Sequence, residues 1–189
     1  VLAQEVAYEN TECLQIEARR GRESRVGSID IVRVLPTKGR RTVGPWCFVD
    51  LMLPQDAEHP DPMEVGPHPH IGLATVTWLF SGEAQHSDSL GTVQLIRPGE
   101  LNLMSSGRGI AHAELGMGRN LRGAQMWVAQ PESTRHRESG FEHHRELPTL
   151  DLGSGEATVI LGELAGVTSP ARTDWGTVGC ELRLRPGPT

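Results

Sequence analysis

Glycine and proline recur too often in this chain for long helices to form. There are 22 glycines and 13 prolines in 189 residues, against an average share of roughly 12% for the two together. Both residues break helix interiors, so a helical bundle or coiled coil is excluded and many short strands joined by tight turns are expected. Apolar or alternating runs do recur at 28–35, 46–53, 71–80, 92–96, 101–104, 123–129, 157–164 and 179–184. Turn sequences separate them, including Pro36-Thr37-Lys38-Gly39, Ser81-Gly82, Pro98-Gly99 and Ser105-Ser106-Gly107-Arg108-Gly109. Strands at that spacing predict an all-β sandwich or barrel.

The clearest strand is Leu73-Ala74-Thr75-Val76-Thr77-Trp78-Leu79-Phe80, rich in β-branched and aromatic residues. Ala124, Met126 and Val128 alternate with Gln125, Trp127 and Ala129 in the same manner. The pattern divides the chain into an N-terminal arm (1–27), a β-barrel (28–130), a polar linker (131–155) and a second β region (156–189) too short to close a barrel alone. Helix signals are poor. Residues 1–20 hold the best candidate, without a sustained 3.6-residue period, and one helical turn is expected near 134–140. His136, His143 and His144 read as solvated linker residues.

No apolar run approaches the roughly 18 residues that span a bilayer, and no basic-then-apolar leader opens the sequence. Cys13, Cys47 and Cys180 are odd in number and lack CxxC spacing, which argues against a disulfide framework or a cysteine zinc site. A reducing, cytoplasmic setting is the expectation. The formal charge is −6, yet Arg19, Arg20, Arg22, Arg25, Arg33, Lys38, Arg40 and Arg41 crowd one segment beside only Glu23 and Asp30. Such a cluster can attract anions. No interleaved base-reading aromatics accompany it, so nucleic-acid binding is unsupported and a solvated surface is the simpler reading.

The chemistry lies with the histidines. In His68-Pro69-His70 the imidazoles are two residues apart, and on an extended strand they share a face. His112 and Glu114, in Gly109-Ile110-Ala111-His112-Ala113-Glu114, repeat that spacing. Two such pairs on facing strands would offer three nitrogens and a carboxylate to one divalent ion: iron, manganese, nickel, copper or zinc. Iron or manganese would keep open positions, whereas tetrahedral zinc would be nearly closed. His86 either lines the same pocket or is a hydrogen-bonded turn residue. Trp78, Phe80, Met104 and Met126 are candidate pocket walls and equally candidate core.

At these residues the sequence resembles the pirin family of the cupin superfamily. The matching stretches are Gly66-Pro67-His68-Pro69-His70-Ile71-Gly72-Leu73 running on to Glu83, Gln85-His86-Ser87-Asp88-Ser89-Leu90-Gly91, Arg97-Pro98-Gly99-Glu100, and Met104 through Glu114. The resemblance covers roughly 31–130. Residues 162–170 resemble the opening strand of the family's second barrel. It implies a double-stranded β-helix barrel with one metal at its mouth, usually Fe(2+), held by His68, His70, His112 and Glu114. It also implies quercetin 2,3-dioxygenase-like cleavage of a flavonol by O2, with Glu114 as the proton acceptor. The alternative it carries is a non-catalytic iron redox sensor that binds a transcription factor or a metabolic enzyme. Ala74 stands where the general cupin pattern has a glutamate, a change beside the imidazoles rather than among the implied ligands. The short second β region is expected to extend the first barrel's sheets, giving a monomer or a weak dimer through that region.

Overall fold

The computed structural model describes residues 20–54 and 62–187, and all regular elements among them are β-strands. In chain order these are β1 (Arg22–Val26), β2 (Ile29–Leu35), β3 (Trp46–Met52), β4 (Glu64–His70), β5 (Leu73–Ser81), β6 (Ala84–Asp88), β7 (Val93–Ile96) and β8 (Leu101–Ser105). Then follow β9 (Ile110–Gly116), β10 (Arg122–Ala129), β11 (Gly140–His144), β12 (Thr149–Asp151), β13 (Gly155–Leu161), β14 (Glu163–Leu164), β15 (Val167–Thr168) and β16 (Gly179–Leu184). A seven-stranded sheet runs β1-β2-β3-β10-β5-β8-β11, and a four-stranded sheet runs β4-β9-β6-β7. A three-stranded sheet, β12-β13-β16, and a two-stranded ribbon, β14-β15, complete the chain.

Two cores explain the apolar pattern. The first joins the two large sheets, with Ile29, Ile31, Met52 and Leu79 from the seven-stranded sheet against Ala84 and Ile96 from the four-stranded one. The second lies on the other face of the seven-stranded sheet, where Val76, Trp78, Leu101, Leu103 and Val128 pack against Ile160 and Leu161 of β13. Strand β5 is therefore covered on both sides, which is why it reads as an almost continuous apolar run. Thr75, Thr77 and Leu79 face inward between the large sheets, while Val76 and Trp78 face the C-terminal strands.

Strand β4 is an edge strand, paired only with β9. That position tolerates Pro67 and Pro69, which cannot donate to a ladder. Ahead of β9, Gly107 adopts φ +48, and a Cβ there would collide with the Arg137 carbonyl. The 131–137 turn thus lies directly on the β8–β9 turn, tied by Arg108 N–H to Arg137 O at 2.9 Å.

Several expectations are corrected. The N-terminal arm contains β1, which pairs with β2; the helix candidate at 1–20 lies outside the described residues except Arg20. The 131–155 segment is no free linker, because β11 pairs with β8 along its whole length and closes one edge of the large sheet. Its turn comes early, with Thr134 and Arg135 N–H both donating to Pro131 O. The C-terminal strands do not extend the first sheets. They form their own sheet, stacked on the outer face of β5 and β8.

Candidate metal centre

Register brings the histidines together. His68 on β4 sits directly opposite His112 on β9, after a bulge between Val65 and His68 that fits the Gly66-Pro67 sequence. His86 on β6 sits opposite Glu114, and Asp88 opposite His112. All five side chains thus rise from the four-stranded sheet. His112 Nε2 lies 3.1 Å from His70 Nε2 and 3.1 Å from His68 Nε2. His70 and His112 are 8% and 2% exposed. His68 Nδ1 stands 2.9 Å from Gly66 O; a carbonyl only accepts, so this nitrogen carries the proton and Nε2 is left with its lone pair.

The electrostatics keep the buried imidazoles of His70, His86 and His112 neutral. Burial, then the neighbouring His68, pushes His70 down to about 4. Burial and the charges of His68 and His70 push His112 down to about 3. Burial likewise holds His86 below its ordinary range. Glu114 is raised by burial to about 7, against the opposing hydrogen bond from Thr77 Oγ1 to its Oε1 at 3.3 Å. Neutral imidazole is the form that ligates a metal.

The donor set fits a divalent ion. Two nitrogens about 2.1 Å from a common centre stand about 3.0 Å apart at a right angle and about 3.4 Å apart at the tetrahedral angle. The 3.1 Å separations fall between these values, so His112 and its two neighbours can share one ion. His68, His70 and His112 form one group able to hold an ion; Glu114 is grouped with His86 and His112.

The seven-stranded sheet supplies the facing wall. Phe48, Asp50, Gln125 and Trp127 line the cavity opposite His68, His70, His112 and Glu114. Trp127 meets His70 edge-on at 4.9 Å and stacks on Phe48 at 4.0 Å. Arg33 lies over Phe48 and clamps Asp50 with two hydrogen bonds of 2.8 and 2.7 Å. Gln125 Oε1 is buried without a hydrogen-bond partner among the described residues.

The family pattern of Pirin matches residues 28–128. This chain belongs to the pirin family. A pirin-like protein of Caulobacter vibrioides is 38% identical over 186 residues, which are 93% of this chain and 64% of that protein. A Pseudomonas aeruginosa relative, provisionally named a quercetin 2,3-dioxygenase, is 44% identical over 158 residues, 82% of this chain and 50% of its own. Among solved structures, quercetin 2,3-dioxygenase from Acinetobacter baumannii superposes with a TM-score of 0.82 at 39% identity, covering 88% of this chain and 56% of that one. The chain thus spans between half and two thirds of the length of these relatives. The expected all-β cupin fold is the fold observed, and no helix among the described residues is long and apolar enough to cross a membrane.

In this pirin the expected pocket walls fall elsewhere. Trp78, Phe80 and Met126 line a groove on the opposite face of the seven-stranded sheet, beside Ile160 and Val178. Met104, opposite Thr75, points inward but is buried to 1% exposure and does not line the cavity. His86 is buried and stacks on Phe141 at 4.5 Å. His143 is not a solvated residue, since its Nδ1 bonds Asn102 Oδ1 at 2.7 Å. His136 is exposed, as expected. Gln125 and Trp127 carry a signal in the β10 alternation, on the face opposite Met126, and Asp88 stands two residues after His86, at same-face spacing on a strand; Asp50 carries none.

Proposed function

We propose that this pirin holds one divalent ion, most simply Fe(2+), on His68, His70, His112 and Glu114, and that it cleaves a flavonol ring with O2. The observation that carries the reading is the pair of 3.1 Å contacts at His112 Nε2, where buried, neutral His70 and His112 meet His68 at the edge of a cavity. When bound, the ion supplies Lewis-acid polarisation and a template for the chelating oxygens of the substrate. The names of the relatives support the substrate class.

The chain's own residues do the rest. Glu114, poised near neutrality, is matched to accept the proton of an acidic hydroxyl. The Phe48–Trp127 stack offers a flat apolar wall to a planar ring. Gln125 Oε1, unpartnered within the described residues, is an acceptor for a substrate hydroxyl. The enclosed space measures about 80 Å³, below the roughly 150 Å³ that takes benzene. Only the chelating edge of a flavonol therefore enters, and the remainder lies in the open mouth.

Elemental analysis of anaerobically purified protein, beside His70→Ala, tests the site. We expect about one ion per chain, lost in the variant, and oxygen uptake on adding quercetin. Absence of stoichiometric metal overturns the reading. One ion per chain without oxygen uptake refutes the dioxygenase and turns attention to the redox-sensing alternative.

A further inference from the structure

We propose that Asp88 and His86 form a hydrogen-bond relay that sets the tautomer of His112 and so keeps its Nε2 bare for the metal, a positioning role that rests on the metal-binding reading above. The relay is read from donors and acceptors alone. Asp88 Oδ1 accepts the backbone N–H groups of Leu90 at 2.9 Å and Thr92 at 3.1 Å, while Oδ2 faces His86 Nε2 at 2.9 Å. The Asp88 and His86 side chains are 0% and 5% exposed, so water does not compete for these bonds.

A carboxylate is an acceptor, so the proton in the first link belongs to His86 Nε2. A neutral imidazole has one N–H, which leaves His86 Nδ1 as an acceptor. That atom faces His112 Nδ1 at 3.4 Å, and the pair is satisfied only when His112 Nδ1 carries the hydrogen. His112 Nε2 then has a free lone pair, aimed at the bare His68 Nε2 3.1 Å away. Two lone pairs facing at that distance repel unless a cation lies between them. The backbone amides of residues 90 and 92 therefore determine, three links away, where the proton on His112 is not.

The stacking of His86 on Phe141 of β11 fixes the plane of the middle ring. A carboxylate acting on a ligating imidazole through its distal N–H is the usual means of fixing ring orientation and raising ligand basicity, and its loss typically costs 10–100-fold in affinity. Here the carboxylate acts through an intervening imidazole.

Asp88→Asn is the informative change, because the two backbone amides hold the amide oxygen at Oδ1 and turn its NH2 toward His86. His86 must then carry its proton on Nδ1, opposing His112 Nδ1–H, and His112 moves its proton to Nε2. Nitrogen-15 spectra of the metal-free wild type are expected to show His86 protonated at Nε2 and His112 at Nδ1. Both tautomers invert in Asp88→Asn, and anaerobic Fe(2+) titration shows 10–100-fold weaker binding. His86→Phe, which keeps a ring on Phe141, weakens binding similarly. A wild-type spectrum with His112 protonated at Nε2 overturns the relay, with no variant needed. So does wild-type Fe(2+) affinity in Asp88→Asn, or a second ion per chain bound through His86. Failure of the wild type to bind Fe(2+) refutes the metal reading instead, and the tautomer spectra still judge the relay.

Discussion

Glu114 and its histidine neighbours have been moved in opposite directions by the same burial. The carboxyl is raised to about 7, while His70 and His112 are lowered to about 4 and about 3. At pH 6 the metal-free site therefore holds a proton on Glu114, while those two imidazoles are neutral, each with a single N–H. If Glu114 ligates the ion, that proton must leave on binding. Calorimetric titration with Fe(2+) or Mn(2+) in buffers of different ionisation heat counts the protons released. We expect Glu114→Gln to release fewer by most of one proton at pH 6 and to match the wild type near pH 8.5. Equal counts at pH 6 would remove Glu114 from the ligand set. The same reasoning makes affinity weaken by about tenfold per pH unit below 7.

At the scale of elements, the two faces of β5 and β10 have separate duties. One face looks into the cavity, and the other holds the C-terminal sheet through Val76, Trp78, Val128, Ile160 and Leu161. Leu161 is buried to 2% exposure, so Leu161→Ala is expected to cost about 2–5 kcal/mol of stability. Because Leu161 packs away from the histidines, metal stoichiometry at low temperature should be unchanged. Denaturant unfolding beside elemental analysis checks both, and loss of metal in a folded variant would contradict the separation of faces. This division also shows what the sequence makes legible. The His68/His70 and His112/Glu114 pairs stand out because a two-residue period alone puts each pair on one face. The assignment of Trp78, Phe80 and Met126 to the pocket fails because alternation separates the faces of a strand without saying which one looks inward. Strand β11 escapes notice because its inward positions include His143, whose polarity is met by Asn102 on β8, a partner 41 residues away. The relay is hidden for a similar reason: Asp88 and His86 are two residues apart in sequence, but their link to His112 exists only once β6 and β9 are in register.

Over the whole molecule, the site makes the metal-free fold sensitive to acid in a way that can be dissected. His70 and His112 have folded values below the ordinary 6.5. The unfolded chain therefore takes up protons that the fold refuses, and stability falls as pH drops from about 6.5 toward 4. His86 and His143, also lowered by burial, add to that loss. Glu114 works the other way. Its folded value of about 7 exceeds the ordinary 4.5, so its contribution is present in full below about 4.5 and is lost as pH rises through 7. On acidification it offsets one of the histidines, but only down to about 4.5. Below that point the loss is unopposed, and Asp88 joins it: burial raises that carboxyl, but hydrogen bonds from His86, Thr92 and Leu90 outweigh burial and hold it below its ordinary value. Urea unfolding between pH 4 and 8, with chelator present, should show a decline that steepens below pH 4.5. Glu114→Gln removes the offset, so its curve should fall more steeply than the wild type between pH 6.5 and 4.5, by about 1.4 kcal/mol per pH unit at most. Below 4.5 the two curves should run parallel. Parallel curves over the entire range would mean that Glu114 has an ordinary acidity in the fold, and that the four-stranded sheet does not bury its carboxyl beside the histidines.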